Sequence, residues 1–269
     1  PPTPAPIARP LARLPKPLPP APQPIEATIP APIVNHRLPL LHVEVLYALH
    51  RAAADLGEPI QVSRRDNTIV IEGVVDTRPR LRQILLALNE IEAGPLLTIR
   101  LQAAEDVPPL PPTQPTLTLD PPPAVPAILP LLESHGMRFS IAMAHTAIVQ
   151  STTALDHAWA IRRLEAALPP EDREHLPAIG RWLLNEIRTN HEEAIESSRQ
   201  SIRTILTPIL VLDTEPQPPP AISSFDRALL IRDLVHSLFA GRRSPEGFST
   251  LQAMLTALHS LLRIKSLPR

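Results

Sequence analysis

IQVSRRDNTIVIEGVV, at residues 60–75, is the stretch that decides the fold of the first folded part of this chain. Ile60 and Val62 alternate with polar neighbours, as the residues of a half-buried strand do. Thr68–Val75 is rich in β-branched residues, which favour strands. Between the two segments, Asp66-Asn67 supplies a turn, because Asp and Asn tolerate left-handed backbone conformations. The stretch therefore predicts a β-hairpin.

A helix is predicted on the N-terminal side of this hairpin. Apolar residues recur at three- and four-residue steps from Leu41 to Leu56, as on one face of an amphipathic helix. Gly57 is placed to follow the helix as its C′ residue, and Pro59 cannot continue it. The pattern therefore predicts a helix that ends near Leu56.

A second helix and a third strand are predicted after the hairpin. Thr77 can cap the helix and Pro79 suits its first turn. The apolar face of this helix consists of Leu81, Ile84, Leu85, Leu88 and Ile91. Gly94-Pro95 ends the helix, and the alternation over residues 97–101 predicts the strand. The order α-β-β-α-β within residues 39–106 predicts a two-layer α+β module.

Proline-rich tracts separate the predicted folded parts. The chain has 37 prolines among 269 residues, against a usual share of about 5%, and they concentrate at 1–38, 107–128 and 212–221. Because proline cannot donate the hydrogen bonds of helix interiors or sheets, we expect these tracts to be linkers. The module is then tethered to the next folded part and not packed against it. The first tract is either a spacer or a PxxP ligand for a partner domain.

The remaining segments are predicted to be helical. Residues 129–211 form a long helical hairpin with helices at about 137–168 and Ala178–Leu206, and residues 222–269 form a C-terminal helical pair. Ser223 and Asp226 make a capping-type pair, and Ser244-Pro245-Glu246 predicts the start of the last helix. The expected fold class is therefore α+β, a small α-β-β-α-β two-layer module plus a separate all-α helical hairpin or bundle, joined by Pro-rich linkers. The long helices also favour a homo-oligomer.

Composition and charge exclude several classes of function. The formal net charge is −1 and aromatic residues are 3% of the chain, so we expect no nucleic-acid partner. The absence of cysteine excludes disulfides, thiolate zinc sites and cysteine catalysis. None of the seven glycines belongs to a nucleotide-binding or nucleophile-elbow motif. We therefore expect neither an enzyme nor a bound cofactor.

The histidines of the long helices give no metal-binding or catalytic pattern. No Glu-x-x-His pair occurs, and the His191-Glu192-Glu193 run lacks the second histidine of H-E-x-x-H, since position 195 is Ile. His191 is interpreted as a polar spot within an apolar stripe, and Ser151 and His157 as solvated positions. We therefore predict no catalytic residue and no metal ligand.

Arg78, Arg80 and Arg82 cluster at the start of the second predicted helix. Positive charge there is unfavourable for the helix dipole but suits an anionic ligand. These residues are the candidate contacts for an anionic ligand, such as a lipid headgroup, or for an acidic partner. A plain exposed helix start is the alternative interpretation.

The predicted α-β-β-α-β module resembles the BON domains of bacterial envelope proteins. The hydrophobic-hydrophobic-x-Gly-x-Val signature around Gly73 is typical of that family. The chain departs from the family before the last strand, where Gly94-Pro95-Leu96 stands in place of Gly-Val. The segments that carry the resemblance are residues 43–56, 60–62, Thr68–Val75, 80–91 and 96–101.

Two further stretches, LYALHRAAADLGEPI at 46–60 and AWAIRRL at 158–164, resemble the extracytoplasmic parts of membrane-bound, anti-sigma-factor-like proteins of acidobacterial type. In such proteins a Cys/His zinc module and one membrane span precede a proline-rich linker. This chain contains neither, and its longest apolar run is far short of the about 20 residues that a span needs. Since the chain opens with Pro1-Pro2-Thr3, we expect a fragment or processed form whose anchor lies upstream.

The resemblance implies a non-enzymatic, extracytoplasmic or periplasmic sensory or interaction region with a protein partner in the cell envelope. The alternative is a BON-type envelope structural or lipid-binding protein, for which anionic lipid is the partner.

Overall fold

In the computed structural model, residues 37–107, 126–134, 140–209, 221–241, 245–248 and 250–262 are described. These residues belong to one compact unit. Most of each predicted linker, at 1–36, 108–125 and 210–220, lies outside the described residues. The described part is a mixed α+β structure with a three-stranded sheet and several helices, which confirms the predicted class at that level.

The first helix, α1 (Arg37–Arg51), ends earlier than predicted. Ala53 adopts a left-handed conformation with φ of 52°. The Ala53 N–H donates to the His50 carbonyl and the Ala54 N–H to the Leu49 carbonyl, both at 2.8 Å. These two bonds form the Schellman arrangement that ends helices, usually with glycine in the left-handed position. The predicted end near Leu56 was wrong because an alanine takes the position that we assigned to Gly57.

The sheet has the order β1-β2-β3. Strand β1 (Ile60–Arg65) pairs antiparallel with β2 (Thr68–Val75), and Ile60 lies opposite Gly73. Strand β3 (Leu97–Ala103) pairs parallel to β2, with Ile71 opposite Ile99. The hairpin prediction is confirmed, and Asp66 in its turn has the left-handed φ of 54° that its residue type tolerates.

Gly73 permits a close approach of the two strands of the hairpin. A Cβ at this position would lie 2.5 Å from the Pro59 carbonyl oxygen and 2.9 Å from the Ile60 Cα. Both neighbours are backbone atoms, which cannot move aside without shifting the strand.

Helix α2 (Arg78–Asn89) connects β2 to β3 and begins at the predicted cap. The Thr77 hydroxyl accepts a hydrogen bond from the Arg80 N–H at 3.3 Å. Helices α1 and α2 pack on the sheet and bury an apolar core. Its fully enclosed members include Leu38, Ile69, Ile71, Ile84 and Leu88.

The helical part is a bundle of four main helices with two short ones. The main helices are α4 (Ile141–Ala167), α6 (Ala178–Leu206), α7 (Ser224–Ala240) and α8 (Leu251–Leu262), and the short ones are α3 (Leu129–Ser134) and α5 (Pro170–Glu174). Helix α4 packs against α6 and α7, and α8 packs against α6 and α7. The long helices thus bury their apolar faces within the same chain, and the homo-oligomer stays a prediction.

The caps of α7 agree with the sequence, but the start of α8 does not. The Ser223 hydroxyl accepts from the Asp226 N–H at 3.0 Å, and Gly241 ends α7 with a φ of 63°. Residues 245–248 form a turn, and α8 begins only at Leu251, where the Thr250 hydroxyl accepts from the Ala253 N–H. The predicted start at Pro245 was wrong because Gly247 takes a φ of 88°, which no helix allows.

The α+β module packs against the helical bundle, contrary to the expected tether. Helix α1 contacts α6, and Val43 is buried among Leu168, Leu176 and Leu183 of the bundle. A Cβ on Gly180 would lie 3.1 Å from the Leu40 side chain, so the two helices approach closely there. We call this contact between module and bundle the joint.

Among the described residues, no helix combines the length and the apolar character needed to cross a membrane.

Candidate functional site

A cluster of three histidines and one aspartate lies at the joint. His50 is in the last turn of α1, and Asp55 follows the left-handed Ala53 that ends this helix. His191 and His157 come from the facing helices α6 and α4 of the bundle. The early end of α1 turns the chain so that Asp55 lies beside His50 and faces the bundle. We call these four residues the His–Asp cluster.

Asp55 is the centre of the cluster. Its Oδ2 accepts a hydrogen bond from Nδ1 of His50 at 2.7 Å and another from Nε2 of His191 at 2.9 Å. The rings of these two histidines meet edge to face, with centroids 4.7 Å apart. Arg163 donates a further hydrogen bond to the backbone carbonyl of Asp55. Asp55 therefore connects the end of α1 to both long helices of the bundle, to α6 through its carboxylate and to α4 through its backbone carbonyl.

His191 extends the network to His157. The His191 side chain is 1% exposed, and its Nδ1 lies 2.8 Å from Nδ1 of His157. Because Nε2 of His191 donates to Asp55, Nδ1 of a neutral His191 is the acceptor and Nδ1 of His157 the donor. Each contact thus fixes the tautomer of the next ring.

His50 has a second polar contact on the bundle. The side-chain amide nitrogen of Asn190 lies 3.2 Å from Nε2 of His50. Since Nδ1 of His50 donates to Asp55, Nε2 is free to accept from this amide. Consecutive residues of α6, Asn190 and His191, therefore both reach the end of α1.

Electrostatics favour an ionised Asp55 at the centre of the cluster. Burial opposes ionisation, but the hydrogen bonds from His191 and His50 outweigh it and hold the pKa of the Asp55 carboxyl well below its usual range. Burial lowers the pKa of His157, and the neighbouring His191 lowers it further. Burial in the cluster therefore disfavours the protonated form of the His157 ring.

The cluster borders a cavity of about 430 Å³ between the module and the bundle. Asp55, His191, Arg163 and Gln61 supply its polar side chains. The remaining wall is mainly apolar and comes from α1, β1, α4 and α6, with Leu46, Leu49, Val62, Leu164 and Ile187 among its residues. The cavity combines an apolar wall with a few convergent polar groups, as ligand pockets do.

The donor atoms of His50, Asp55 and His191 could also hold a metal ion, since they all lie within 4.8 Å of one another.

Ser151, considered with His157 from the sequence, is buried and donates its hydroxyl hydrogen to the Ile148 carbonyl at 2.8 Å. Its hydroxyl is thus occupied within α4, and the interpretation of Ser151 as a solvated position was wrong because this residue lies on the packed face of the helix.

The three arginines predicted as anionic-ligand contacts lie together at the start of α2 and not at the joint. Arg78 pairs with Asp106 at 2.5 Å and with Glu105 at 3.8 Å. Arg80 pairs with Glu58 at 2.5 Å and donates to Gln83 at 2.8 Å. Arg82 is exposed. Carboxylates of the module itself therefore balance two of the three charges.

Sequence reasoning missed the His–Asp cluster. His50 and Asp55 belong to no metal or catalytic motif, and His191 lies 136 residues beyond Asp55. The one available signal was that α1 has apolar residues outside its predicted face, at Val43 and Tyr47, which indicates a helix covered on two sides. That signal predicts a second packing partner but not which histidines it brings.

Comparison of the chain with protein-family models, with curated proteins and with solved structures finds no match, so the site rests on its own geometry.

Proposed function

We propose that this chain is a non-enzymatic sensory or interaction region in which the joint between the α+β module and the helical bundle responds to a signal. The observation that carries the proposal is the His–Asp cluster, because its hydrogen bonds are complete only while the two parts are docked. The extracytoplasmic, anti-sigma-factor-like setting comes from the sequence resemblance and is part of the proposal.

Docking of the module on the bundle depends on a buried polar network. Asp55 has its ionised carboxylate held by His50 from its own part and by His191 from the bundle. Loss of one donor leaves a largely buried charge with one hydrogen bond in place of two, which is costly in a low-dielectric environment. A ligand or partner that disturbs one member of the cluster therefore shifts the joint as a whole.

The rest of the joint combines an apolar patch with exposed polar contacts, which suits a movable contact. Its apolar part is centred on Val43, against three leucines of the bundle. Its outer part includes an ion pair between Arg64 and Asp172 at 3.3 Å, whose side chains are 41% and 23% exposed. Exposed pairs of this kind contribute about 1 kcal/mol or less. Interfaces of this composition between parts of one chain commonly permit relative motion.

The test is a distance measurement across the joint. The chain has no cysteine, so a Gln102→Cys, Glu193→Cys pair of exposed sites gives specific labels on the module and on α6 for energy-transfer measurements. In the protein without further substitutions we expect a narrow distribution of distances between the two labels. Asp55→Asn, which keeps the side-chain volume and removes the charge, should lengthen or broaden that distance.

Asp233→Asn is the matched control, because it removes a carboxylate from the Arg232–Asp233 pair on α7, outside the joint. It should leave the distance unchanged. An unchanged distance in folded Asp55→Asn protein would show that the cluster does not govern the joint, and would overturn the proposal.

A further inference from the structure

Three side chains at the joint present nitrogen and oxygen donors toward one another. They are His50 through Nδ1, His191 through Nε2 and Asp55 through its carboxylate, and these donor atoms all lie within 4.8 Å. We propose that they bind a divalent transition-metal ion of the Zn²⁺ or Fe²⁺ class. Two imidazoles and one carboxylate are ligands that both ions accept, with further positions left for water.

The present spacing is close to that of a ligand set. Asp55 Oδ2 lies 2.7 Å from His50 Nδ1 and 2.9 Å from His191 Nε2. Metal–nitrogen and metal–oxygen bonds of about 2.1 Å in a tetrahedral site place ligand atoms about 3.4 Å apart. The ion therefore replaces the two hydrogen-bond protons when each nitrogen moves away from the carboxylate oxygen by about 0.5 to 0.7 Å. The two nitrogens already lie within 4.8 Å of each other, and side-chain rotation can supply the remaining adjustment.

The second oxygen of Asp55 supports a ligand at this position. Among the described residues, Oδ1 of Asp55 is buried and has no hydrogen-bond partner. Buried polar atoms usually have a partner, and each exception calls for an explanation. A metal ion held by the carboxylate, or a water bound to that ion, would satisfy this oxygen.

When a metal ion binds, the outer contacts can reverse direction and hold the opposite tautomers, which metal binding needs. Nε2 of His191 binds an ion only if the ring proton sits on Nδ1, and Nδ1 of His157 lies 2.8 Å away to accept it. Nε2 of His50 would likewise carry the proton and donate to the Asn190 side chain, whose oxygen takes the facing position when the amide turns over. Partners of this kind orient metal-bound imidazoles and increase their basicity.

The inference rests on the proposed function and names its signal. His50 and Asp55 belong to the module, while His191 belongs to the bundle. An ion bound by all three residues bridges the joint and therefore stabilises the docked arrangement. The equilibrium constant for docking increases by a factor of one plus the ratio of the ion concentration to its dissociation constant. The signal would then be the availability of a divalent transition metal.

The experiment is a titration of the full chain, free of any histidine tag and treated with chelator, with Zn²⁺ and, under anaerobic conditions, with Fe²⁺. Calorimetry measures the affinity and stoichiometry, and Co²⁺ reports the ligand geometry by its visible absorption. We expect one ion per chain and at least a tenfold loss of affinity in Asp55→Asn and in His191→Gln. His145→Gln, at an exposed histidine of α4, is the control and should bind as the original chain does.

The inference would be overturned if neither ion bound the unmodified chain with a one-to-one stoichiometry. It would also be overturned if Asp55→Asn and His191→Gln left the affinity unchanged. Circular dichroism of each variant separates loss of ligands from loss of the fold. The label distance measured with and without the ion separates the two proposals. The ion should keep that distance narrow up to a higher urea concentration. Tight binding that leaves the urea dependence of the distance unchanged would support the metal site but contradict the signalling joint, whereas a joint that moves in Asp55→Asn without metal binding contradicts the site alone.

Discussion

His42 is a buried histidine that the His–Asp cluster does not use. Its side chain on α1 is 4% exposed, and burial lowers its pKa to about 4 against the opposing attraction of Asp172, while Arg64 lowers it further. The folded protein therefore keeps this ring neutral between about pH 4 and 6.5, whereas the unfolded chain binds a proton there. Stability must fall as the pH falls through this window, since the unfolded state binds more protons.

His42→Leu should reduce this acid sensitivity. A shift of this size corresponds to at most about 3 kcal/mol of stability lost between pH 6.5 and 4. Urea unfolding at several pH values should therefore show a flatter stability profile in the variant, while its other titrating groups stay the same. If the two profiles run parallel between pH 6.5 and 4, His42 is not the cause.

At the scale of elements, the end of α1 stores backbone strain. Ala53 has a left-handed φ of 52°, which costs a non-glycine residue about 1 kcal/mol or more. Ala53→Gly should therefore raise the free energy of unfolding by about 1 kcal/mol and leave the position of Asp55 unchanged. The measurement is chemical denaturation at neutral pH.

The control for this prediction is Ala87→Gly, in the interior of α2. Glycine there should lower the free energy of unfolding by about 1 kcal/mol, because a helix interior gains nothing from glycine's conformational freedom. A destabilised Ala53→Gly variant would mean that the left-handed turn is not how α1 ends.

The elements themselves could be predicted from local patterns far better than their contacts could. Thr68–Val75 and Ala178–Leu206 were predicted with the bounds that the structure shows, because β-branched content and helical period are local properties. Trp159 and Trp182 are the largest apolar side chains of the two long helices, so the pattern favours their burial, yet they are 44% and 53% exposed. Small buried residues such as Ala147 and Ser151 form the contact face of α4 instead, and small size carries little signal in a hydrophobic pattern.

The candidate site was beyond prediction for a related reason. Proline-rich composition indicates where a chain is extended but not whether the parts on either side of it meet. The pairing of Asp55 with His191 depends on how α1 docks on α6, and that docking is set by Val43, Leu40 and Gly180, which no local periodicity selects.

At the scale of the whole molecule, the lipid-binding alternative makes a separate prediction. Asp106 and Glu58 already pair with Arg78 and Arg80, and the chain's net charge is −1, so we expect no flotation with anionic vesicles. Arg78/Arg80/Arg82→Ala should behave as the unmodified chain does. Flotation that this triple substitution abolishes would favour the envelope lipid-binding alternative.

The coupling between Asp55 and His191 across the joint can be measured directly as a free energy. Asp55→Asn and His191→Gln remove the two partners of one hydrogen bond, so the second substitution should cost much less when the first is already present. A double-mutant cycle on the unfolding of the full chain should then give a coupling free energy of at least about 1 kcal/mol. Effects that add to within about 0.5 kcal/mol would show that the two residues are not coupled, and would contradict the account of the joint.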